Sequence, residues 1–319
     1  MEYHNRGDKA TKEGFAEALV EVGTKYNDVV LLGADITSSV GMDGFARKFP
    51  DRFFSMGIAE QNCIGAAAGL ALSGKVPVFS TYGVFAALRT TDQIRISLCY
   101  NNVHVIIGGA HAGISVGPDG ATHQALEDIA VLRSLPNITI LSPADATQTK
   151  LATIAAYEQC NGPVYVRFGR ASVPDFTTSV MDYKVGKAQL LQEGNDISII
   201  ATGHVVWEAL EAAKLLSKKG ISARVINMHT IKPLDEDIII EAANHTKAII
   251  TVEEHQVTGG LGSAVAEVVV KNKPIPMEMI GMQDRFGESG QPKELMKKFG
   301  LTADNIVRKI NSILKSKLL

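Results

Sequence analysis

Glu60 opens a stretch of unusual composition: SMGIAEQNCIGAAAGLALSG, residues 55–74. Taken by itself, it is a carboxylate favourably placed in the first turn of a helix. The residues after it ask for more. Gly65, Ala66, Ala67, Ala68, Gly69 and Ala71 leave one helix almost bare of side chains. Glycine inside a helix costs intrinsic stability, so the run predicts another backbone packed tightly against it. A carboxyl desolvated by such packing holds its proton more strongly, which is what an acid in an apolar site needs.

Three further groups could do chemistry. Tyr82 and Phe85 lie three apart, a spacing that suits core packing as well as ligand stacking. Arg89 falls four residues beyond Phe85 and could simply pair with Asp92 at i, i+3. A glycine-rich loop, GGAHAGISVGPDGATHQ at 108–124, carries His111, Asp119 and His123. Glycines permit its tight turns and a close ligand approach. It lacks the Gly-Lys-Ser/Thr ending of a phosphate-binding P-loop, and no third ligand stands at zinc spacing. Arg167 and Arg170, in VRFGR, can clamp a phosphate or form a salt bridge at a domain boundary; their positions leave both open.

These residues need a frame, and the hydrophobic pattern supplies two α/β blocks. In the first, an amphipathic helix carries Phe15, Leu19 and Val22 on one face, with Thr11 expected as its N-cap. Strands are predicted at 29–34, 76–81, 103–108, 138–141 and 164–168. Helices are predicted at 60–73, 84–100, 126–134 and 146–159. Short apolar runs alternating with helices indicate a mostly parallel sheet with helices on both faces. The loop at 108–124 then follows a parallel strand, where α/β proteins place ligands. The period lapses over 171–187, the expected linker. A second block has strands at 197–201, 223–227, 248–252 and 277–280. Its helices fall at 205–218, 235–243 and 261–271, with a tail helix at 302–316. Gly259–Gly262 reads as a turn before a helix, and His229, His245 and His255 as structural.

Composition narrows the function. The chain has 319 residues, 45% hydrophobic and 21% charged, with a net charge of −2. That balance gives no field drawing nucleic acid or anionic lipid. The 29 glycines exceed the usual share of about 7%. Cys63, Cys99 and Cys160 are odd in number and form no CxxC pair, as expected of buried thiols in a reducing compartment. No signal core or membrane-length apolar run is visible, so a cytoplasmic location is expected.

Read together and in order, the motifs resemble the C-terminal half of transketolase. They are GADITSS (33–39), DRFFSMGIAEQN (51–62), STYGVF with the following Arg and DQIR (80–95), GPDGATHQALEDIAVLRSLPN (117–137), TIKPLD (230–235) and VEEHQVTGGLGSAVAE (252–267). The resemblance covers nearly the whole chain. It implies a thiamine-diphosphate-binding pyrimidine domain (1–175) followed by the transketolase C-terminal α/β domain (188–319). By position, Glu60 resembles the catalytic glutamate, which shares a proton with the cofactor's pyrimidine nitrogen. Tyr82 and Phe85 resemble the aromatic pair around that ring, with Tyr where the family usually has Phe. His123 resembles a residue near the cofactor amine and the substrate carbonyl, and Asp35 one near the cofactor. His111, Asp119, Arg89, Arg170 and Ser39 match substrate positions. Lys12, in ATKEGF, stands where the family commonly has a phosphate-binding Arg, and keeps the charge but not the bidentate fork.

The family's metal and diphosphate motif, GDG with a downstream Asn, is missing; GMDG (41–44) and GPDG (117–120) lack its context. The resemblance therefore implies no metal site here. It places Mg²⁺ and the diphosphate on a separate N-terminal subunit, with self-association giving a heterotetramer. The activity implied is transfer of a two-carbon ketol unit between sugar phosphates, as in the pentose phosphate pathway. Alternatives are a 1-deoxyxylulose-5-phosphate synthase-like half, a 2-oxoacid dehydrogenase beta subunit and a non-catalytic scaffold subunit.

Overall fold

The computed structural model describes residues 3–178 and 181–315. Two mixed sheets form the frame. The first has seven strands in the order Thr230–Lys232, Thr139–Leu141, Val164–Arg167, Ile106–Ala110, Val76–Tyr82, Val29–Gly33 and Phe53–Ser55. All its neighbours pair parallel except Thr230–Lys232, which runs antiparallel to Thr139–Leu141. Val29–Gly33 and Ile106–Ala110 are buried throughout, as continuous apolar runs covered on both faces should be. The second sheet orders Met277–Met282, Ile249–Gln256, Ile197–Ala201, Ala223–Asn227 and Gln189–Gln192, with only the last antiparallel.

Helix Thr11–Lys25 packs on helix Ala146–Glu158 over the first sheet. Phe15, Leu19 and Val22 are buried as the stripe predicts. Gly14 allows the contact, since a Cβ there would lie 1.8 Å from the Ala146 carbonyl oxygen. Helix Glu60–Leu72 packs beside Val76–Tyr82 and the 94–100 segment. The tail helix Ala303–Lys315 buries Ile306 and Ile310; Ser316 lies outside the described residues.

Three expectations change. Thr11 begins its helix rather than capping it: Ala10 is the cap, and its N–H donates to Glu13 Oε1 at 2.9 Å. The 84–100 stretch is not one regular helix. Wide π-type turns at Phe85–Arg89 and Ile94–Tyr100 flank a short turn at Thr91–Gln93. There Thr90 and Thr91 donate their hydroxyls to the carbonyls of Ala86 and Ala87 at 2.6 and 2.5 Å, a side-chain bond that distorts helices. The 171–187 segment also holds structure. Ser172–Pro174 pairs antiparallel with Asp8–Ala10, and Phe176 and Tyr183 are buried.

Candidate active site at the carboxyl edge of the first sheet

Four adjacent parallel strands end on one edge, and each delivers a candidate residue just past its end. Val29–Gly33 leads to Asp35 and Ser39, and Val76–Tyr82 to Tyr82 and Phe85. Ile106–Ala110 leads to His111, and Val164–Arg167 to Arg170. Thr11 ties the helix bearing Lys12 to this edge. Its hydroxyl accepts from Gly169 N–H at 2.7 Å and lies 3.2 Å from the Gly169 carbonyl.

The aromatic and imidazole groups converge. Ring centroids are 5.9 Å apart for Tyr82 and Phe85, 4.5 Å for Tyr82 and His111, and 5.4 Å for Phe85 and His123. The Tyr82 hydroxyl meets Ser39 Oγ at 3.3 Å. Glu60, 7% exposed, begins its helix beside them. Arg89 does not pair with Asp92; it donates to Glu60 Oε1 at 3.0 Å, with its guanidinium carbon 3.8 Å from the Phe85 centroid. The wide π turn between Phe85 and Arg89 lets one arginine reach both groups.

On the other side, Arg170 NH1 contacts both oxygens of Asp119 at 3.1 Å. His111 is buried in a left-handed conformation, φ 54°, and its Nδ1 has no partner. Burial pushes its pKa down to about 4, with the Arg170 and Lys12 charges adding to the effect and Asp119 opposing it. His111 is therefore neutral near pH 7, beside two cations. Asp35 is not brought into contact with this cluster; it is exposed, with φ 65°.

Arg167, left open between phosphate clamp and salt bridge, is a buried ion pair. Its Nε donates to Asp128 Oδ2 at 2.9 Å. Burial, the largest single influence, pushes the Asp128 carboxyl up, but the Arg167 charge, His255 and the hydrogen bonds from Arg167 and Tyr165 together hold the group below its ordinary range. The three cysteines are free and buried, and burial pushes the Cys63 and Cys99 thiols up to about 11. His229 and His255 are buried, and burial pushes both down to about 4. Gln124 and Glu254, not singled out from the sequence, hold the loop at 111–124, as described below.

The arrangement fits one end of an aromatic heterocyclic cofactor. A buried carboxylate, two half-buried rings and an imidazole nitrogen without a partner offer acid, stacking and hydrogen-bonding groups within one cluster. Among the described residues no group of three or more His, Cys, Asp or Glu could hold a metal ion, and no helix is long and apolar enough to cross a membrane.

Fold and site thus define a two-block α/β protein whose ligand cluster lies at the carboxyl edge of its first sheet. The chain belongs to the transketolase family. Residues 8–175 match the family model described as transketolase, pyrimidine binding domain, and residues 186–306 the one described as transketolase, C-terminal domain. A Methanocaldococcus jannaschii protein, provisionally named as a transketolase C-terminal section, is 43% identical over 312 residues, 96% of this chain and 97% of that protein. A 6-deoxy-6-sulfo-D-fructose transketolase subunit from Clostridium sp. (strain MSTE9) is 39% identical, covering 96% of this chain and 95% of its own. A solved structure titled split gene transketolase, inactive beta4 tetramer, superposes with TM-score 0.90 at 46% identity, covering 96% of this chain and 98% of that one.

Proposed function

We propose that this chain is the C-terminal subunit of a split, thiamine-diphosphate-dependent transketolase, moving a two-carbon ketol unit from a ketose phosphate to an aldose phosphate. The observation that carries the reading is the clustering of Tyr82, Phe85, His111 and His123 at one sheet edge, with Glu60 joined to it through Arg89. A separate N-terminal chain would hold Mg²⁺ and the diphosphate; the relative named as a C-terminal section and the split-gene transketolase structure, each matched over nearly its whole length, support this part of the reading. One relative is named for 6-deoxy-6-sulfo-D-fructose and another for apulose 4-phosphate, so the sugar pair is left at the level of ketose and aldose phosphates.

When bound, thiamine diphosphate supplies the nucleophilic carbon and the electron sink. This chain supplies proton placement and electrostatics. Glu60 presents a buried carboxyl to the pyrimidine end, with Arg89 engaging its Oε1. Tyr82 and Phe85 flank the ring. His111, neutral and with Nδ1 unpartnered, can exchange a hydrogen bond with a sugar hydroxyl. Lys12 and Arg170, the cations beside His111, offer positive charge to a substrate phosphate. His123 lies edge-on to Tyr82 and Phe85, where it can donate a hydrogen bond.

The test is to mix the chain with its N-terminal partner, thiamine diphosphate and Mg²⁺, and to follow ketol transfer. Glu60→Gln should cut kcat about 10²–10⁴-fold, the usual worth of positioned acid–base catalysis. Unchanged turnover in Glu60→Gln, or pyruvate consumption without a ketose donor, would overturn the reading.

A further inference from the structure

The loop carrying His111, Asp119 and His123 is held on its outer side by the second block. Gly113, at φ 85°, sits against the carboxylate of Glu254, which lies on strand Ile249–Gln256. A Cβ at Gly113 would fall 2.1 Å from Glu254 Cδ. Glu254 Oε1 accepts the Ser115 N–H at 2.6 Å, and its Oε2 lies 3.3 Å from His204 Nε2. The Glu254 backbone is fixed in turn, because Arg167 donates to its carbonyl at 2.9 Å while paired with Asp128. Further along, Gln124 Nε2 bridges the carbonyls of Ile114 and Glu288 at 3.1 and 2.9 Å. The loop thus has its substrate-facing groups on one side and a second-block carboxylate on the other.

Resting on the functional reading above, we infer that Glu254 is a positioning residue for substrate recognition. It accepts a buried N–H in the middle of the loop and so sets where His111, Asp119 and His123 stand. A buried amide left without an acceptor is costly, so without this carboxylate the loop must move to find one. Glu60, Tyr82 and Phe85 come from other elements, so the carboxyl and ring contacts at the pyrimidine end do not depend on it, and His123 is the one cofactor-side group named above that does.

That separation makes the claim testable. In the complex with the N-terminal chain, Glu254→Ala should raise the KM for the aldose phosphate by about tenfold or more, as small displacements of positioning groups do. The thiamine diphosphate Kd should rise less than the KM, by about threefold at most, since only His123 among the cofactor-side groups is displaced. Glu254→Gln keeps an oxygen for the Ser115 N–H and should recover most of the loss. Gly113→Ala, which attacks the same contact from the loop side, should reproduce Glu254→Ala. In the free chain, hydrogen exchange over 111–124 should speed up in Glu254→Ala while 60–72 is unchanged. Ile239→Ala, which hollows the core under helix Glu236–His245, is the stability control and should leave KM unchanged. Unchanged exchange and KM in Glu254→Ala, or the same KM rise in Ile239→Ala, would overturn the inference. If the wild-type complex transfers no ketol unit, the functional reading fails, and the exchange experiment still decides whether Glu254 holds the loop.

Discussion

His111 concentrates the residue-scale physics of the site. Its left-handed backbone is a strained conformation for a side chain of this size. It is held between strand Ile106–Ala110 and the two backbone bonds that follow it, from Ala112 N–H to the Phe168 carbonyl at 3.1 Å and from Gly113 N–H to the Ala125 carbonyl at 2.9 Å. Its pKa, pushed by burial from 6.5 to about 4, makes it a stability sensor. Its folded value lies below the unfolded one, so the unfolded chain takes the proton first. The contribution of this group is intact above about pH 6.5 and is lost as pH falls through about 4. His229 and His255 act in the same direction. Urea unfolding between pH 7 and 4.5 should therefore show a shallower decline in His111→Gln than in the wild type. The difference should approach 1.4 kcal/mol per pH unit, roughly one proton's worth; parallel curves would refute it. The candidate residues themselves were legible in the sequence because their types are rare in apolar surroundings. What each one touches was not. Arg167 and Arg170 stand three apart in VRFGR, yet one is a buried partner of Asp128 and the other is exposed beside Asp119. That difference depends on sequence-distant groups, which no local pattern carries.

At the scale of elements, helix Glu60–Leu72 is built for company. Gln61, Gly65, Gly69 and Leu72 are exposed on one face, and a Cβ at either glycine meets nothing within 4 Å. Ile58, Leu72, Leu88 and Ile96 are exposed as well, on the helix or on segments next to it in the chain or packed on it. The intrinsic cost of the two glycines is therefore uncompensated within this chain. Gly65→Ala and Gly69→Ala should each stabilise the free subunit by about 0.5–1 kcal/mol in thermal melts. On the proposed split-enzyme reading, Gly69→Leu should leave the fold intact but block assembly with the N-terminal chain. A Gly69→Leu subunit that co-sediments normally would show that the face is not a contact. Long apolar runs and this small-residue helix were readable in advance because their composition extends over many residues. The strands Phe53–Ser55, Ser172–Pro174 and Thr230–Lys232 were not: three residues carry no period, and unlike the equally short Thr139–Leu141, predicted at 138–141, none of them reads as an apolar run. They form only where a neighbouring strand offers unpaired backbone groups.

Across the whole molecule, the sequence suggests two blocks with a linker, whereas the structure joins them through shared elements. Thr230–Lys232 leaves the second block to complete the edge of the first sheet, and Ser142 N–H donates to the His229 carbonyl at 2.8 Å. Arg133 grips Glu267 through two nitrogens at 3.0 and 2.7 Å. Between the sheets, Asp128 accepts from Tyr165 and Arg167 at 2.8 and 2.9 Å, and Arg167 reaches on to the Glu254 carbonyl. One buried carboxylate therefore anchors a chain of contacts from the first sheet to the residue that holds the substrate loop. Removing it would strand the Arg167 charge in a dry site. Asp128→Ala should cost about 3–5 kcal/mol, the usual penalty for breaking a buried pair from one side. Because the blocks share a sheet, calorimetry should show one transition moving down as a unit. Two resolved transitions, with only the first shifted, would mean that the blocks fold independently and that the shared edge strand is incidental. A single shifted transition would mean that the second block is part of what keeps the first block's ligand edge in shape.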